Sequence, residues 1–478
     1  MAHAAEDASS DAGVTWAHVA ALFALAGGIG VTGFWRLGVD TWHIDESLYA
    51  AMGWAYVHGD LTANLEHPPF AKYLIGLSQV AFGQDAIGAR VVPALAGVVI
   101  AATLFVFGAR VMGFWAGWAA AASWVALPRE IRFVGTQFIA LKLERHALLD
   151  VFAAAFGILG LYLGWQWLQK RSWSRAVGTG VFIGLAAASK IIGGFFLPGI
   201  LVIALWSGRR DRRVILQSVT VAVVSVLTSL LTYLPMGGRA IDAIIYMVDF
   251  QSQHESEGHA TWVAGHTYMQ APPWSMAWMQ WDGDGPLLNI LFLLGVVAAF
   301  FVGQRLLASY LMLAVLGPFV ALSLSSVALP HYRYIWLPPL TLLAALGWFG
   351  LLRQTGFRRV VGVACWTAVL VMGAFTVERA ATVTPTDYRA VAVFLEQRDS
   401  QPTTAFVYGF TDDLSHSLPD LGLVSRSDFL AGRPVDVVVI DPILAKRYPD
   451  PSLAEEIARR NLSEPIAFDR LQVWVSTG

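Results

Sequence analysis

Runs of roughly 20 apolar residues recur along this chain, and their interiors hold almost no Asp, Glu, Lys or Arg. A segment of that kind has one stable form in hydrocarbon. Its backbone groups must bond to each other, so it folds as a helix. About eleven such runs are expected. They start near Val14, Ile87, Gly113, Leu149, Ala176, Gly193, Val214, Pro286, Leu306, Tyr334 and Val360. The chain is 56% hydrophobic and only 14% charged, too little polar surface to cover a soluble globule. The class is a polytopic α-helical membrane protein. A net charge of −2 says nothing about nucleic acid, and no basic tract suggests it, so no nucleic-acid partner is expected. The lone Cys365 excludes an internal disulfide. Residues 1–13 are acidic, unlike the positively charged start of a signal peptide, so the first apolar run reads as a retained span.

Loop charges give an expected orientation. Arg110, "QKRSWSR", "GRRDRRV", "GQRL" and "RQTGFRR" fall in one alternating set of short loops, which should face the cytoplasm. The other set is longer and carries "HIDES", "EHPP", "LKLERHALLD" and "QSQHESEGH". It should lie outside, with the N-terminus inside. Residues 14–377 would form the membrane domain. From residue 378 to 478 the pattern changes. "TPTDYRAVAVFLEQRDS" and "PSLAEEIARR" read as helices, and "TAFVYGF", "VDVVVID" and "LQVWVS" as strands. An odd span count places this small α/β domain outside the membrane. Asp412 and Asp413, after the first strand, read as turn residues.

The outer loops gather most of the chemistry-bearing side chains. Asp45 could cap a helix over "ESLYAAMGWAYV", with Glu46 favoured by the helix dipole. A carboxylate at the membrane face could equally serve as a general base. Glu66, His67 and Lys72 in "EHPPFAK" read as solvated loop residues and a snorkelling lysine, or as groups contacting a substrate. In "LERHALLD", Arg145 has the planar fork that suits phosphate, and a helix there would put His146 and Asp150 on one face. Lys190 lies between two apolar runs and could meet a lipid phosphate or simply snorkel. His254, His259 and His266 share one loop without a zinc-site spacing, and "PHYRYIW" adds His331 and Arg333. Together these loops suit a hydrophilic reaction on a lipid-linked anion.

The order "HIDESLYA", "EHPPFAK", "RHALLD", "GLAAASK" and "FQSQHESEGH…YMQAPPWS" resembles the protein O-mannosyltransferase family and its bacterial and archaeal relatives. These are GT-C membrane glycosyltransferases. The resemblance runs from Trp42 to Pro339, while the tail is similar to the extracytoplasmic domain of aminoarabinose transferases. It implies an inverting enzyme that moves a sugar, with mannose expected, from a polyprenyl monophosphate donor on the outer side. The acceptor would be a hydroxyl of a protein Ser or Thr, or of a glycolipid or glycan. Asp45 would be the base, with Glu46 in support. Glu66, His67, Lys72, Arg145, Asp150, Lys190, His259 and Arg333 would line the substrate site. No metal is required; Glu66 and His266 are the candidate ligands should a divalent ion bind. No insertion of the β-trefoil kind found in eukaryotic members is evident. Two rival readings belong to other classes. A transporter would carry its ionisable residues at mid-membrane, inside the spans. A non-catalytic lipid-binding subunit would lose nothing on substitution of Asp45.

Overall fold

The computed structural model describes residues 15–477 except 40, 41, 43, 129, 130, 133–137, 141, 209, 210, 303, 304, 384–386, 399, 400, 410–413, 415–417, 419, 443, 444, 446–449, 469 and 470. The expected tail 1–13, and Asp412 and Asp413, lie outside the described residues.

Eight of the described helices are long and apolar enough to cross a bilayer. They are α1 (Trp16–Ile29, prolonged by a π-turn over Gly30–Phe34), α4 (Ala86–Met112), α6 (Leu149–Lys170), α8 (Phe196–Gly208, entered by a turn from Ile191), α9 (Arg212–Leu231), α11 (Ser275–Val302), α12 (Arg305–Leu324) and α14 (Phe357–Ala381). The other three expected runs are also helical but shorter: α5 (Phe114–Ala126), α7 (Trp173–Ser189) and α13 (Leu337–Leu352). At 1.5 Å per residue they fall short of a straight crossing of roughly 30 Å. α13 is buried along nearly its whole length, so packing in the bundle explains its apolar sequence as well as lipid would. The run expected to start at Pro286 does so, directly after a kink at Gly285, where φ is +77°. A separate helical segment before the kink, "SMAWMQWDGD", carries Gln280 and Asp284 to the same end of the bundle as the polar loops.

Between α1 and α4 the chain makes a helical hairpin, α2 (Ile44–Val57) and α3 (Phe70–Phe82). These two helices touch backbone to backbone. A Cβ on Gly76 would lie 2.0 Å from the Gly53 carbonyl oxygen, so only glycine permits this approach. Small residues replace the hydrophobic driving force that helices lose in lipid, as backbone proximity gains dispersion contacts. α4 opens on Asp85, whose carboxylate accepts the Gly88 N–H at 2.8 Å, and ends at Gly113, where φ is +93°. A strand pair β1 (Ile131–Arg132) and β2 (Phe138–Ala140) precedes α6. α10 (Ala240–Glu257) and the hairpin β3 (Thr261–Val263) with β4 (His266–Tyr268) lie between α9 and α11.

The tail forms the small α/β unit that its pattern predicts. α15 (Asp387–Glu396) leads to β5 (Thr404–Tyr408), β6 (Gly422–Leu423), α16 (Arg426–Leu430), β7 (Val437–Ile440), α17 (Pro451–Arg459), β8 (Ile466–Phe468) and β9 (Leu471–Val475). The sheet order is β6-β5-β7-β9-β8, parallel over the first three strands and antiparallel after. β7 reads "VVVI" and is buried on both faces, as a central strand requires. α15 buries Tyr388, Val391, Ala392 and Leu395 in an apolar core continuous with that of the bundle.

Candidate active site

Asp45 and Glu46 are neighbours in the first turn of α2, yet they face opposite fates. Glu46 is wholly buried. Its Oε1 accepts from Arg90 Nε at 2.7 Å and from the Ala147 N–H at 2.9 Å. Its Oε2 accepts from Arg90 Nη2 at 2.8 Å and meets His146 Nδ1 at 2.9 Å. Burial alone would raise its pKa. The charges of Arg90 and His146, with their hydrogen bonds, instead hold the carboxyl well below the usual range. Asp45 is the exposed member, with 31% of its side chain accessible, and its Oδ2 stands 3.8 Å from His331 Nε2.

That histidine also lies 4.0 Å from Asp150 Oδ2. Asp150 sits in the first turn of α6, where the helix dipole favours an anion. Its Oδ2 accepts from Lys190 Nζ at 2.8 Å, while Oδ1 is buried without a hydrogen-bond partner among the described residues. The Lys190 ammonium also lies over the Tyr332 ring, 4.3 Å from its centroid. Two carboxylates, a lysine and a histidine thus converge from α2, α6, the loop after α7 and the turn before α13. Tyr49, one turn along α2 from Asp45, is buried. Burial, then the charges of Asp45 and Asp150, keep its phenol protonated far above its usual range.

Lys190 lies at the end of a groove of about 440 Å³ that His67, Tyr332 and His254 also line. Much of the rest of its wall is apolar, with Ile191, Ile192, Phe195, Leu322 and Val327, while Gln251, Ser252, Glu255 and Ser325 also line it. Burial and the positive charges of Lys190 and Lys72 push the His67 pKa well down, so His67 is neutral in ordinary buffers. Its ring packs edge-on to Tyr49 at 5.8 Å. The groove is thus a greasy channel with a cationic end beside a pair of acids.

Other expected site residues are occupied elsewhere. Arg145 is fully buried and donates to the carbonyls of Trp35 at 3.0 Å, Arg36 at 3.2 Å and Thr32 at 3.4 Å, tying down the end of α1. It is not among the residues lining the groove. Arg333 is buried against Asp284 in an ion pair. Lys72 donates to the carbonyls of Asn64 and, at 3.0 Å, of His67, and so holds the "EHPP" loop. Glu66 has a buried Oε2 without a hydrogen-bond partner among the described residues, while its carbonyl accepts from Gln251 of α10. His259 is exposed and lies 5.4 Å, ring to ring, from His254. The expected face shared by His146 and Asp150 does not form, because α6 begins only at Leu149 and His146 precedes it in extended backbone. His146 turns to Glu46 instead.

Among the described residues no group of three or more His, Cys, Asp or Glu gathers as a metal site. His266 is exposed on β4. Reading the sequence residue by residue undervalued Arg90 and His331. Arg90 had a usable signal, as a lone arginine at the head of an apolar run needs a partner. His331 gave little signal of its own beside Arg333.

The match to known proteins agrees with this geometry. Residues 66–236 match the family model described as dolichyl-phosphate-mannose-protein mannosyltransferase. No curated protein matches the chain in sequence. Among solved structures, ArnT from Cupriavidus metallidurans bound to undecaprenyl phosphate superposes with a TM-score of 0.62. It is 14% identical, over 95% of this chain and 97% of that one. The oligosaccharyltransferase AglB of Archaeoglobus fulgidus, in complex with an inhibitory peptide and a dolichol-phosphate, gives 0.57 at 13% identity, over 97% and 74%. At these identities the superpositions speak for the fold. The chain is an integral membrane protein with the GT-C fold, and it resembles the protein mannosyltransferases and ArnT.

Proposed function

We propose that the protein is an inverting glycosyltransferase that moves a sugar from a polyprenyl-phosphate donor to a hydroxyl acceptor. The observation that carries this reading is the meeting of Asp45, Asp150, His331 and Lys190 at the cationic end of an apolar groove. The groove suits an isoprenoid chain, and Lys190 with the neutral His67 suits its phosphate. Resemblance to the mannosyltransferase family supports mannose as the sugar, and the reaction would take place on the outer face.

In this reading the Asp45 carboxylate takes the proton from the acceptor hydroxyl. The acceptor oxygen bonds to the anomeric carbon as the bond to phosphate breaks on the opposite face. The lipid phosphate leaves with the electron pair. Its negative charge grows along the reaction, so Lys190 binds the transition state more tightly than the ground state. The bare Oδ1 of Asp150 is placed to accept a hydrogen bond from a sugar or acceptor hydroxyl. Glu46, Arg145 and Arg333 serve as scaffold in this proposal. Glu46 joins α2, α4 and the extended segment His146–Ala147 before α6, and so fixes Asp45 relative to Asp150.

The test uses purified protein, synthetic polyprenyl-phosphate sugars and a panel of protein and glycolipid acceptors, with products read by mass spectrometry. Transfer that needs Asp45 supports the proposal. Sugar flux across proteoliposomes without any covalent product would establish a transporter instead.

A further inference from the structure

A second cavity, of about 680 Å³, opens where the tail meets the bundle. The end of α1, the start of α4 and α15 form its walls, through Phe34, Arg36, Leu37, Trp42, Ile87 and Arg389 among others. It shares no lining residue with the groove beside Asp45. We propose that this cavity binds the anionic headgroup of a bilayer lipid, which fastens the C-terminal domain to the membrane domain.

Its charge and its walls make the case together. Arg36 and Arg389 both line it. Arg36 is exposed, and its backbone sits in the left-handed region, with φ +51°. Its carbonyl accepts from the buried Arg145, which secures that unusual turn. Arg389 reaches from α15 to the Gly38 carbonyl at 2.6 Å, and its planar fork keeps further donors. Among the described lining residues the one acid is Asp85, and it already caps α4 through Gly88. Most other lining residues are apolar, and Ile87 is 49% exposed. Trp35, beside the cavity, is 54% exposed and donates its indole N–H to the Ala381 carbonyl, as aromatic residues do at headgroup depth. A soluble anion would satisfy the arginines and leave these walls wet. An amphiphile satisfies both, with phosphate between the guanidiniums and chains along Ile87 and Val91. Because one arginine belongs to the bundle and the other to the tail, the lipid bridges them.

The test takes the full-length protein in a neutral detergent and titrates short-chain phosphatidylglycerol, then phosphatidylcholine. Thermal unfolding and lipid adducts in native mass spectrometry are the readouts. Phosphatidylglycerol should raise the unfolding temperature and phosphatidylcholine should not. Arg36→Gln should weaken phosphatidylglycerol binding about fivefold, the usual worth of one basic residue at a lipid surface. This variant leaves the Arg389 bond to Gly38 in place, so it does not release the tail. Arg389→Gln should weaken binding by a similar factor, and Arg239→Glu, at an exposed arginine away from the cavity, should change nothing. Wild-type binding by Arg36→Gln would overturn the proposal. Stabilisation by inorganic phosphate equal to that by phosphatidylglycerol would show that no lipid is needed, and overturn it too. An increased acceptor KM in Arg36→Gln, with lipid binding unchanged, would make the cavity an acceptor site instead.

Discussion

Glu46→Gln separates a structural carboxylate from a catalytic one. The side chain accepts hydrogen bonds of 2.7–2.9 Å from Arg90 twice, from His146 and from the Ala147 N–H. Glutamine keeps one oxygen, which satisfies Arg90 Nε or Ala147. Its NH₂ then faces Arg90 Nη2 and the His146 ring, donor against donor. The fully buried Arg90 charge then loses the Glu46 carboxylate. Removing one member of a buried pair costs about 3–5 kcal/mol. Whole folded proteins are stable by roughly 5–15 kcal/mol, so the loss is severe. Unfolding followed by intrinsic fluorescence in detergent should show a clear drop in midpoint and in monodisperse yield. Glu46→Met with Arg90→Met should cost less than the two single changes summed, because neither charge is then stranded. Acid gives an independent check. The Glu46 carboxyl is held below its ordinary value of 4.5, so its stabilisation is complete above that pH, declines as pH falls below it and is lost once pH has passed the folded value. A Glu46→Gln protein with wild-type unfolding and no sugar transfer would refute the structural assignment and place Glu46 in the chemistry.

Asp45→Asn should keep the wild-type unfolding midpoint, since Asp45 is partly exposed, and lose about 10²–10⁴-fold in transfer rate; an unchanged rate in steady-state assays would move the base elsewhere. Lys190→Met should raise the donor KM and lower kcat, and it strands the buried Asp150 carboxylate, so Lys190→Arg, which keeps the charge, should restore folding more fully than turnover. Gly76→Ala should unseat α2 from α3, because its Cβ meets the Gly53 carbonyl, and transfer should fall with the unfolding midpoint. Cysteines introduced near Asp45 and in the tail should both react with an impermeant reagent in intact cells, as the alternation of basic loops requires; labelling only after lysis would reverse the orientation.

The apolar runs determined most of the architecture by themselves, because a bilayer leaves a long apolar segment no alternative to a helix. The same local logic read α15, β5, β7, α17 and β9 in the tail from their periodicity. It placed the start of the run at Pro286, directly after the kink at Gly285, but gave no sign of the helical segment before the kink, whose Asp284 and Gln280 meet Arg333 and Trp336. The candidate site was legible as a set of loops and illegible as a set of roles. Asp45 and Glu46 are adjacent carboxylates, alike in sequence. What divides them is that α2 presents Glu46 to Arg90, 44 residues away, and to His146, 100 residues away, while Asp45 opens toward His331. Arg145 and Arg333 carry the fork that suits a phosphate, and the fold turns those forks onto backbone carbonyls and Asp284. Residue type fixes what a side chain is able to bind. Which partner it meets depends on contacts across distant helices, where the cost of leaving a charge unpaired in a low-dielectric interior makes the choice.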